Sequence, residues 1–587
     1  MNSPRHLISA PTVILLLVVV GFLLRGALPS RIAVEHFDEG VYASNLVTGP
    51  EYEYRYPSRH LFAPPLAPWL IEWSQVAWGI NDLASVAVNL IAGGLTVLLV
   101  GFVAARWFND RAGIAAAALA ALSGIHILYS RTALTDPLVC FWMLAAVYAI
   151  WCSLSYGDKS WAVIAGLLTG LSWWTKYNGW LPLAIGVAAT IPWLFVCRDR
   201  ARLRTSLVCL AIIIATAGIV WSPVWFNLPD GYAAVAANHR QYLVGLDRWP
   251  QTLWQQLLNH RLLEGAFGPL SLAAAVIVVG AFSHHQDNAS ATTRTSHFWK
   301  LSALAVGLSA LASLSASSIV LAALAVYWLW RNVELHPTDT PPDEDPAAVQ
   351  LALWMLIAWI AGLSLTTPLY TAYPRITLPW LVPIWLAGGA ATAWLVVGIR
   401  QTADESPTAT APRGTVVWAA GIIVVGVAVA IAGRYWNPGS TWSAWQSHTG
   451  LADIAAEVKT DIEQRIAEQG GSPRSDNYVV DVYGEPSLFF QLRQLGIELA
   501  LPASNLRFAQ PGIAAPSHPT FLLAGPHALR SSQFKQQLAE TAGRLKLLKT
   551  YQYTPSDFVL LNQHPPGEIR QADGQQRQYS VRLYQLE

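Results

Sequence analysis

Residues 34–70 of the chain read VEHFDEGVYASNLVTGPEYEYRYPSRHLFAPPLAPWL and separate its first strongly apolar run from the next one. The stretch contains the adjacent acids Asp38 and Glu39, two arginines, four tyrosines and the turn-forming Pro64-Pro65. Proline pairs of this kind mark loops and turns. A polar, charged segment placed between two apolar runs lies at the boundary of the apolar region. We therefore expect it to form part of a site there.

Apolar residues dominate the whole chain: of its 587 residues, 53% are hydrophobic and only 12% are charged. A soluble domain carries about 25% charged residues, so most of this chain does not face water. Repeated apolar runs of about twenty residues predict a polytopic membrane protein that is mainly α-helical. The net charge of +1 provides no electrostatic basis for binding nucleic acid. The four cysteines show neither metal-ligand spacing nor a disulfide framework.

The apolar runs predict about thirteen transmembrane helices, because each spanning helix needs near-continuous apolar sequence. The predicted spans cover residues 10–28, 83–104, 112–128, 137–152, 161–174, 180–197, 206–226, 267–282, 301–314, 315–330, 349–365, 376–397 and 415–432. The run 301–330 fits either one long tilted helix or two short helices. We favour two, because that split places Arg375 on the same side of the membrane as Asp38.

Short loops rich in Lys and Arg face the cytoplasm, which orients the predicted spans. The basic segment 198–204, RDRARLR, is the strongest such signal. The polar segments 29–82, 129–136, 175–179, 227–265 and 366–375 then lie on the opposite, extracytoplasmic side. We therefore predict a polytopic transmembrane domain at 1–433, with 29–82 as its first extracytoplasmic loop, and an extracytoplasmic soluble α/β domain at 434–587.

Helix and strand patterns alternate after residue 433, as in a soluble α/β domain. Helices are predicted at 451–469, 488–495 and 531–542, and strands at 478–482, 497–501, 520–524, 545–551, 558–561 and 579–584. The loop Tyr483-Gly484-Glu485-Pro486-Ser487 follows a strand and has the character of a ligand-facing loop. The sequence has no Gly-rich phosphate motif or nucleophile elbow. A packing or acceptor-docking role is therefore the simpler interpretation of this domain.

Acidic and basic residues of the extracytoplasmic segments fall together at helix ends. They include Asp38, Glu39, Arg131, Asp136, Lys176, His239, Arg240, Arg248, His260, Arg261 and Arg375, and Tyr177, Tyr370 and Tyr373 lie close to them in the sequence. Ionisable residues at helix ends within a membrane bundle are costly unless they are paired or functional. Their convergence on one face suggests a site for an anionic headgroup, with a catalytic carboxylate and a hard cation.

Sugar transfer from a lipid phosphate is a chemistry that fits such a site. A positioned carboxylate can deprotonate the acceptor hydroxyl as it attacks the anomeric carbon. The departing phosphate gathers negative charge, which Arg, Lys or a divalent cation offsets. Arginine suits this role because its planar fork binds two phosphate oxygens.

Six segments resemble, in order, motifs of the polytopic C-type (GT-C) glycosyltransferases, in particular the branch of protein O-mannosyltransferases and lipid A aminoarabinose transferases. The segments are FDEGVYA (37–43), APPLAPWL (63–70), YSRTALTDP (129–137), GLLTGLSWWTK (166–176), NHR (238–240) and YPRITLP (373–379). The resemblance covers roughly residues 14–400. It implies a GT-C fold and transfer of a sugar, with inversion, from a polyprenyl-phosphate donor to a protein, glycolipid or glycan. The reaction would take place at the extracytoplasmic face of the cell (inner) membrane.

The resemblance also implies roles for individual residues. Asp38 corresponds to the catalytic base of the family's first-loop motif. The expected substrate-binding residues are Glu39, Tyr42, Arg55, Arg59, Arg131, Asp136, Lys176, His239, Arg240, Tyr370, Tyr373 and Arg375, and the candidate ligands of a divalent metal cation are Glu39, Asp136 and His239. Phe62 and Ala63 depart from the family pattern, which often has an acid and a lysine there that serve metal and phosphate.

Other interpretations of the same residues stay open. Asp38 fits a helix-start cap, Asp136 fits a cap before Pro137, and Lys176 fits a side chain that snorkels to the membrane surface. For the whole chain, the alternatives are a transporter or flippase of a lipid-linked sugar, or a non-catalytic membrane scaffold. A transporter would show internal repeats and charges at the membrane midplane, whereas the charges here lie at one face.

Overall fold

The chain forms two compact units in a computed structural model that describes residues 9–49, 53, 55–197, 200–286, 291–333, 346–404, 443–472, 474, 477–510, 518–541, 543–563 and 578–587. The first unit comprises Met1–Ala27, Leu90–Ser130 and Thr135–Ala444. The second comprises Leu28–Asn89, Arg131–Leu134 and Trp445–Glu587. The first polar loop therefore belongs to the same unit as the C-terminal region. The predicted domain boundary at 433/434 lies outside the described residues.

Helices account for most of the described residues. In chain order they are α1 (Ala10–Gly26), α2 (Phe37–Ala43), α3 (Asn45–Thr48), α4 (Leu66–Trp78), α5 (Asp82–Trp107), α6 (Asp110–Ala121), α7 (Gly124–Ser130), α8 (Asp136–Tyr156), α9 (Lys159–Thr175), α10 (Leu181–Cys197), α11 (Arg200–Phe226), α12 (Gly231–Arg240), α13 (Trp249–Glu264), α14 (Phe267–Gln286), α15 (Ala291–Leu314), α16 (Ser317–Val333), α17 (Pro346–Thr366), α18 (Leu378–Asp404), α19 (Gly450–Glu468), α20 (Pro486–Gln494), α21 (Pro526–Arg530), α22 (Ser532–Glu540) and α23 (Asp557–Gln563).

The protein is a multi-pass integral membrane protein, as the sequence predicts. Among the described residues, five helices are long and apolar enough to cross a membrane, and the number rises to seven if each of two bent helix pairs is one span. The bent pairs are α6 with α7, at 59°, and α13 with α14, at 76°. Four further apolar helical segments are shorter than 18 residues: Ala10–Gly26, Leu181–Val196, Phe298–Leu314 and Ser317–Val333. The predicted count of thirteen spans is therefore not confirmed, and the predicted span 415–432 lies outside the described residues.

The run 301–330 forms two helices, which confirms the prediction of a split. α15 ends at Leu314 and α16 begins at Ser317. The carboxylate of Glu264 accepts hydrogen bonds from the backbone N–H groups of Ser317 and Ser318, at 2.5 and 2.8 Å. These two N–H groups have no partner within their own helix, and a negative charge at a helix N-terminus is stabilising. Glu264 thus fixes the start of α16.

Small residues allow the helices of the first unit to pack closely. A Cβ atom added to Gly389 in α18 would lie 2.7 Å from the Ala116 side chain in α6, and one added to Gly93 in α5 would lie 2.2 Å from Ser130 Oγ. Helix association in membranes depends on such close packing, because lipid tails compete with apolar side chains. The Ala-rich sequence of α6 is accordingly buried from Ala112 to Ala121.

A mixed sheet lies in the second unit, and its described strands are β1 (Val479–Tyr483), β2 (Ala500–Ala503), β3 (Thr520–Ala524), β4 (Leu545–Tyr553) and β5 (Tyr579–Leu586). Their order is β2-β1-β3-β5-β4. β1 is parallel to β2 and to β3, whereas β5 is antiparallel to β3 and β4. Every residue of the central strand β3 is buried. The predicted α/β character of the C-terminal region is confirmed, but the strand predicted at 558–561 is wrong, because these residues belong to α23.

Candidate active site

Asp38 lies in the first turn of α2, and a capping box fixes the start of this helix. His36 is the N-cap residue, and its Nδ1 accepts a hydrogen bond from the Asp38 backbone N–H at 3.1 Å. The Glu39 carboxylate reaches back to the His36 backbone N–H at 2.9 Å. The His36 and Glu39 side chains thus each accept a hydrogen bond from a backbone N–H group that has no partner within the helix. The Asp38 side chain is therefore presented from an ordered helix start, with 8% of the residue exposed.

Glu39 is fully buried, and both of its carboxylate oxygens bind backbone amides. Oε2 accepts hydrogen bonds from the N–H groups of Glu35 and His36, at 3.2 and 2.9 Å, and Oε1 accepts one from Ala133 at 2.7 Å. Burial raises the pKa of Glu39 to about 7, against these backbone hydrogen bonds, which lower it. The resemblance implies that Glu39 contacts substrate or a metal ion. The partners in the structure are amides that join the segment 35–39 to 131–134.

The other predicted site residues of the second unit differ in exposure. Tyr42, Arg59 and Arg131 are buried, and Arg55 is exposed. The Arg131 guanidinium donates from Nη2 to the carbonyl oxygen of Leu28 at 3.2 Å. Burial, together with the smaller effect of the nearby Arg31 charge, lowers the pKa of Arg131 to about 10.

Asp136 and Lys176 form an ion pair in the first unit. Asp136 begins α8 and is buried, and Lys176 follows the last residue of α9. The Lys176 ammonium donates to Asp136 Oδ1, and 21% of the lysine side chain is exposed. A buried carboxylate needs such a partner to keep its charge. A substrate phosphate that binds Lys176 would therefore either displace the Asp136 carboxylate or share the ammonium group with it.

The segments that carry His239 and Arg375 lie side by side in the first unit. The Val244 N–H donates to the Leu369 carbonyl oxygen at 2.8 Å, and the Thr371 N–H donates to the Tyr242 carbonyl oxygen at 2.9 Å. The structure thus brings together two motifs that are distant in sequence.

Side chains of these two segments also meet. The Tyr370 hydroxyl donates to the His239 carbonyl oxygen at 3.4 Å, and the His239 ring lies edge-on to Tyr177, 5.7 Å away. The Arg375 guanidinium lies 5.7 Å from the centre of the Tyr373 ring, within cation–π range. Arg240 is exposed at the end of α12. This surface combines aromatic rings with cations.

The candidate metal ligands Glu39, Asp136 and His239 stay a prediction. Within the described residues, no group of three or more His, Cys, Asp or Glu side chains is placed to hold a metal ion. Glu39 is poorly suited to this role because both oxygens already accept backbone hydrogen bonds in a fully buried position.

Residues of the C-terminal region that contact the first loop are missing from the sequence-based site. Ser487 Oγ donates to the His36 carbonyl oxygen at 2.6 Å, and Ser556 Oγ donates to the Glu35 carboxylate at 2.5 Å. The sequence contains one signal for them, since Ser487 ends the loop predicted to face a ligand. In the structure, that loop contacts the chain's own residues 36–40.

Known proteins resemble this chain in parts of its sequence and in its fold. Residues 63–226 match the family described as dolichyl-phosphate-mannose-protein mannosyltransferase. An undecaprenyl phosphate-α-4-amino-4-deoxy-L-arabinose arabinosyl transferase of Sodalis glossinidius (strain morsitans) is 31% identical over 143 residues, which are 23% of this chain and 25% of that protein. The chain thus spans about a quarter of the length of the curated relatives it matches.

Two solved structures resemble the fold over most of the chain. The crystal structure of ArnT from Cupriavidus metallidurans in the apo state has a TM-score of 0.50 and 14% identity, covering 97% of both chains. The crystal structure of the Archaeoglobus fulgidus oligosaccharyltransferase in the apo form has a TM-score of 0.51 and 12% identity, covering 94% of this chain and 74% of that one. These similarities confirm that the chain has the fold of the polytopic GT-C glycosyltransferases and resembles their aminoarabinose-transferase and protein-mannosyltransferase branch.

Proposed function

We propose that the protein transfers a sugar from a polyprenyl-phosphate carrier to an acceptor hydroxyl, with Asp38 as the general base. One observation supports the assignment of the base: both carboxylate oxygens of Glu39 accept hydrogen bonds from backbone amides. We therefore assign the proton transfer to its neighbour Asp38. The donor class is supported by the relatives, whose names specify undecaprenyl phosphate as the sugar carrier. This function is favoured over a flippase or a non-catalytic scaffold, because the sequence relatives are named as arabinosyl transferases and one of the two similar structures is of an oligosaccharyltransferase.

The reaction needs one proton transfer and one displacement. The Asp38 carboxylate takes the proton of the acceptor hydroxyl while its oxygen bonds to the anomeric carbon. The bond from that carbon to the phosphate oxygen breaks, and its electron pair leaves with the lipid phosphate. Attack opposite to the leaving group inverts the anomeric centre. Arg240, Arg375 and Lys176 are the cations that we assign to the developing phosphate charge.

We place the reaction on the extracytoplasmic face of the inner membrane, because the basic segment 198–204 marks the cytoplasmic side. A divalent cation could also offset the charge of the departing phosphate. No step is assigned to it, since Glu39 does not fit as its ligand. The sugar is a pentose or a hexose: the sequence relatives are named for an arabinose derivative and the matching family for mannose.

The test uses full-length protein reconstituted in liposomes with radiolabelled undecaprenyl-phosphate sugars. A panel of aminoarabinose, arabinose and mannose donors is offered with lipid A, and separately with a Ser/Thr-rich peptide. We expect label to move from one donor class to one acceptor, and the product to carry the inverted anomeric configuration in its NMR spectrum. Label that crosses the bilayer without leaving its carrier would instead establish a flippase.

A further inference from the structure

Open α/β sheets bind ligands at the carboxyl ends of their parallel strands. In this sheet, β1 and β3 are neighbouring parallel strands. The strand order reverses there, because β2 pairs on one side of β1 and β3 on the other. A crevice forms outside the strand ends at such a reversal point. Here Glu485 follows β1 and His527 follows β3, and the two are joined. The Glu485 carboxylate accepts hydrogen bonds from the His527 backbone N–H and from Nδ1, the latter at 2.9 Å.

The first loop occupies this edge of the sheet. The Phe37 ring meets the His527 ring edge-on at 4.9 Å, and Ser487 Oγ donates to the His36 carbonyl oxygen at 2.6 Å. Gly40 lies so close to the start of α20 that an added Cβ would be 2.1 Å from the Ser487 backbone nitrogen. Only glycine permits this approach, because any side chain at position 40 would overlap the backbone of α20.

Further hydrogen bonds hold the residues before Asp38. Gln491 Nε2 in α20 donates to the Val34 carbonyl oxygen at 3.1 Å and to the Asp82 carboxylate at 2.8 Å. Asp82 in turn accepts from the Val34 N–H at 2.7 Å. Ser556 donates through its backbone N–H and its hydroxyl to the Glu35 carboxylate, at 3.2 and 2.5 Å. The contacts therefore involve residues 34–37 and 40, on both sides of Asp38.

We propose that the C-terminal α/β domain positions the catalytic loop, and that Ser487 and Gln491 are positioning residues for Asp38. This inference rests on the proposed function, in which Asp38 is the base. The crevice that other sheets of this type offer to a ligand is filled by the chain's own residues 36–40. Catalytic groups need placement to a fraction of an ångström, and a shift of about 1 Å can cost a hundredfold in rate. The domain supplies this placement through its contacts with residues 34–37 and 40.

Two pairs of variants of the full-length protein test the proposal. Ser487→Ala removes the hydrogen bond to His36, and Ser580→Ala is its control, because Ser580 contacts Gln552 at an exposed position. Gly40→Ala forces α2 away from α20. Its control is Gly26→Ala, where an added Cβ meets no atom within 4 Å.

We expect kcat to fall about tenfold in Ser487→Ala and about a hundredfold in Gly40→Ala, while KM for the undecaprenyl-phosphate sugar stays within about twofold. Hydrogen exchange measured on the peptide 34–43 should be faster in both variants and unchanged in both controls. If Gly40→Ala does not fold, Ser487→Ala decides the question. Wild-type kcat in a folded Ser487→Ala variant, with or without faster exchange, overturns the positioning role. An inactive wild type with every donor overturns the proposed function itself, and the positioning role with it.

Discussion

At the scale of single residues, Asp38 and Glu39 are adjacent acids with different surroundings. Glu39 points into the protein and binds three backbone amides. Asp38 is at the start of the same helix with part of its surface exposed. The resemblance gives the two acids different roles, with Asp38 as the base and Glu39 in substrate or metal binding. Only the fold shows that the amides of residues 35, 36 and 133 bind Glu39.

Glu35 gives this loop a pH-dependent stability. Burial raises the pKa of Glu35 from its ordinary value of 4.5 to about 8, against hydrogen bonds from Ser556, which lower it. Between these two pH values the folded protein holds a proton that the unfolded chain releases. The contribution of Glu35 to stability is therefore fully present below pH 4.5 and is lost as the pH rises towards 8, by at most about 1.4 kcal/mol per pH unit.

We expect Glu35→Gln, which mimics the protonated acid, to make this pH dependence of stability shallower. The measurement is the Tm in detergent at pH 5, 6, 7 and 8, beside the exposed control Glu468→Gln. Parallel curves for Glu35→Gln and the wild type would show that Glu35 does not take up a proton in the folded state.

At the scale of elements, most helices and strands follow from local pattern, and the exceptions have physical reasons. The four apolar residues 558–561 fit a buried strand or a buried helix equally well, and periodicity cannot decide between them. The break between α15 and α16 is only suggested by the sequence, because the residue that caps α16 is Glu264, far away in α13. Contacts between elements, in contrast to the elements themselves, need the tertiary structure.

The Lys176–Asp136 pair joins the end of α9 to the start of α8 and serves as an element-scale test. Lys176→Met leaves a buried carboxylate unpaired, which should cost about 3 kcal/mol and lower the Tm by several degrees. Adding Asp136→Asn should restore most of the lost stability. We expect the double variant to remain inactive, because we assign Lys176 to the lipid phosphate. Transfer activity that returns together with the Tm would show that the pair has a structural role only.

At the scale of the whole molecule, the membrane class, the C-terminal α/β region and the GT-C fold all follow from the sequence. The placement of the first loop does not, since its contact with the C-terminal region joins residues 36 and 487, which are 451 positions apart. No local pattern encodes a partner at that separation. The predicted site accordingly lacks Ser487, Gln491 and Ser556, which contact the first loop next to Asp38.

The measurement that tests the central claim most directly is the rate of sugar transfer by Asp38→Asn. Asparagine keeps the size and polarity of the side chain but cannot take up the acceptor proton, so we expect kcat to fall about a hundredfold or more. The control Asp158→Asn replaces the N-cap of α9 by another good cap and should retain wild-type activity. Near wild-type transfer by a folded Asp38→Asn variant would contradict the assignment of Asp38 as the base.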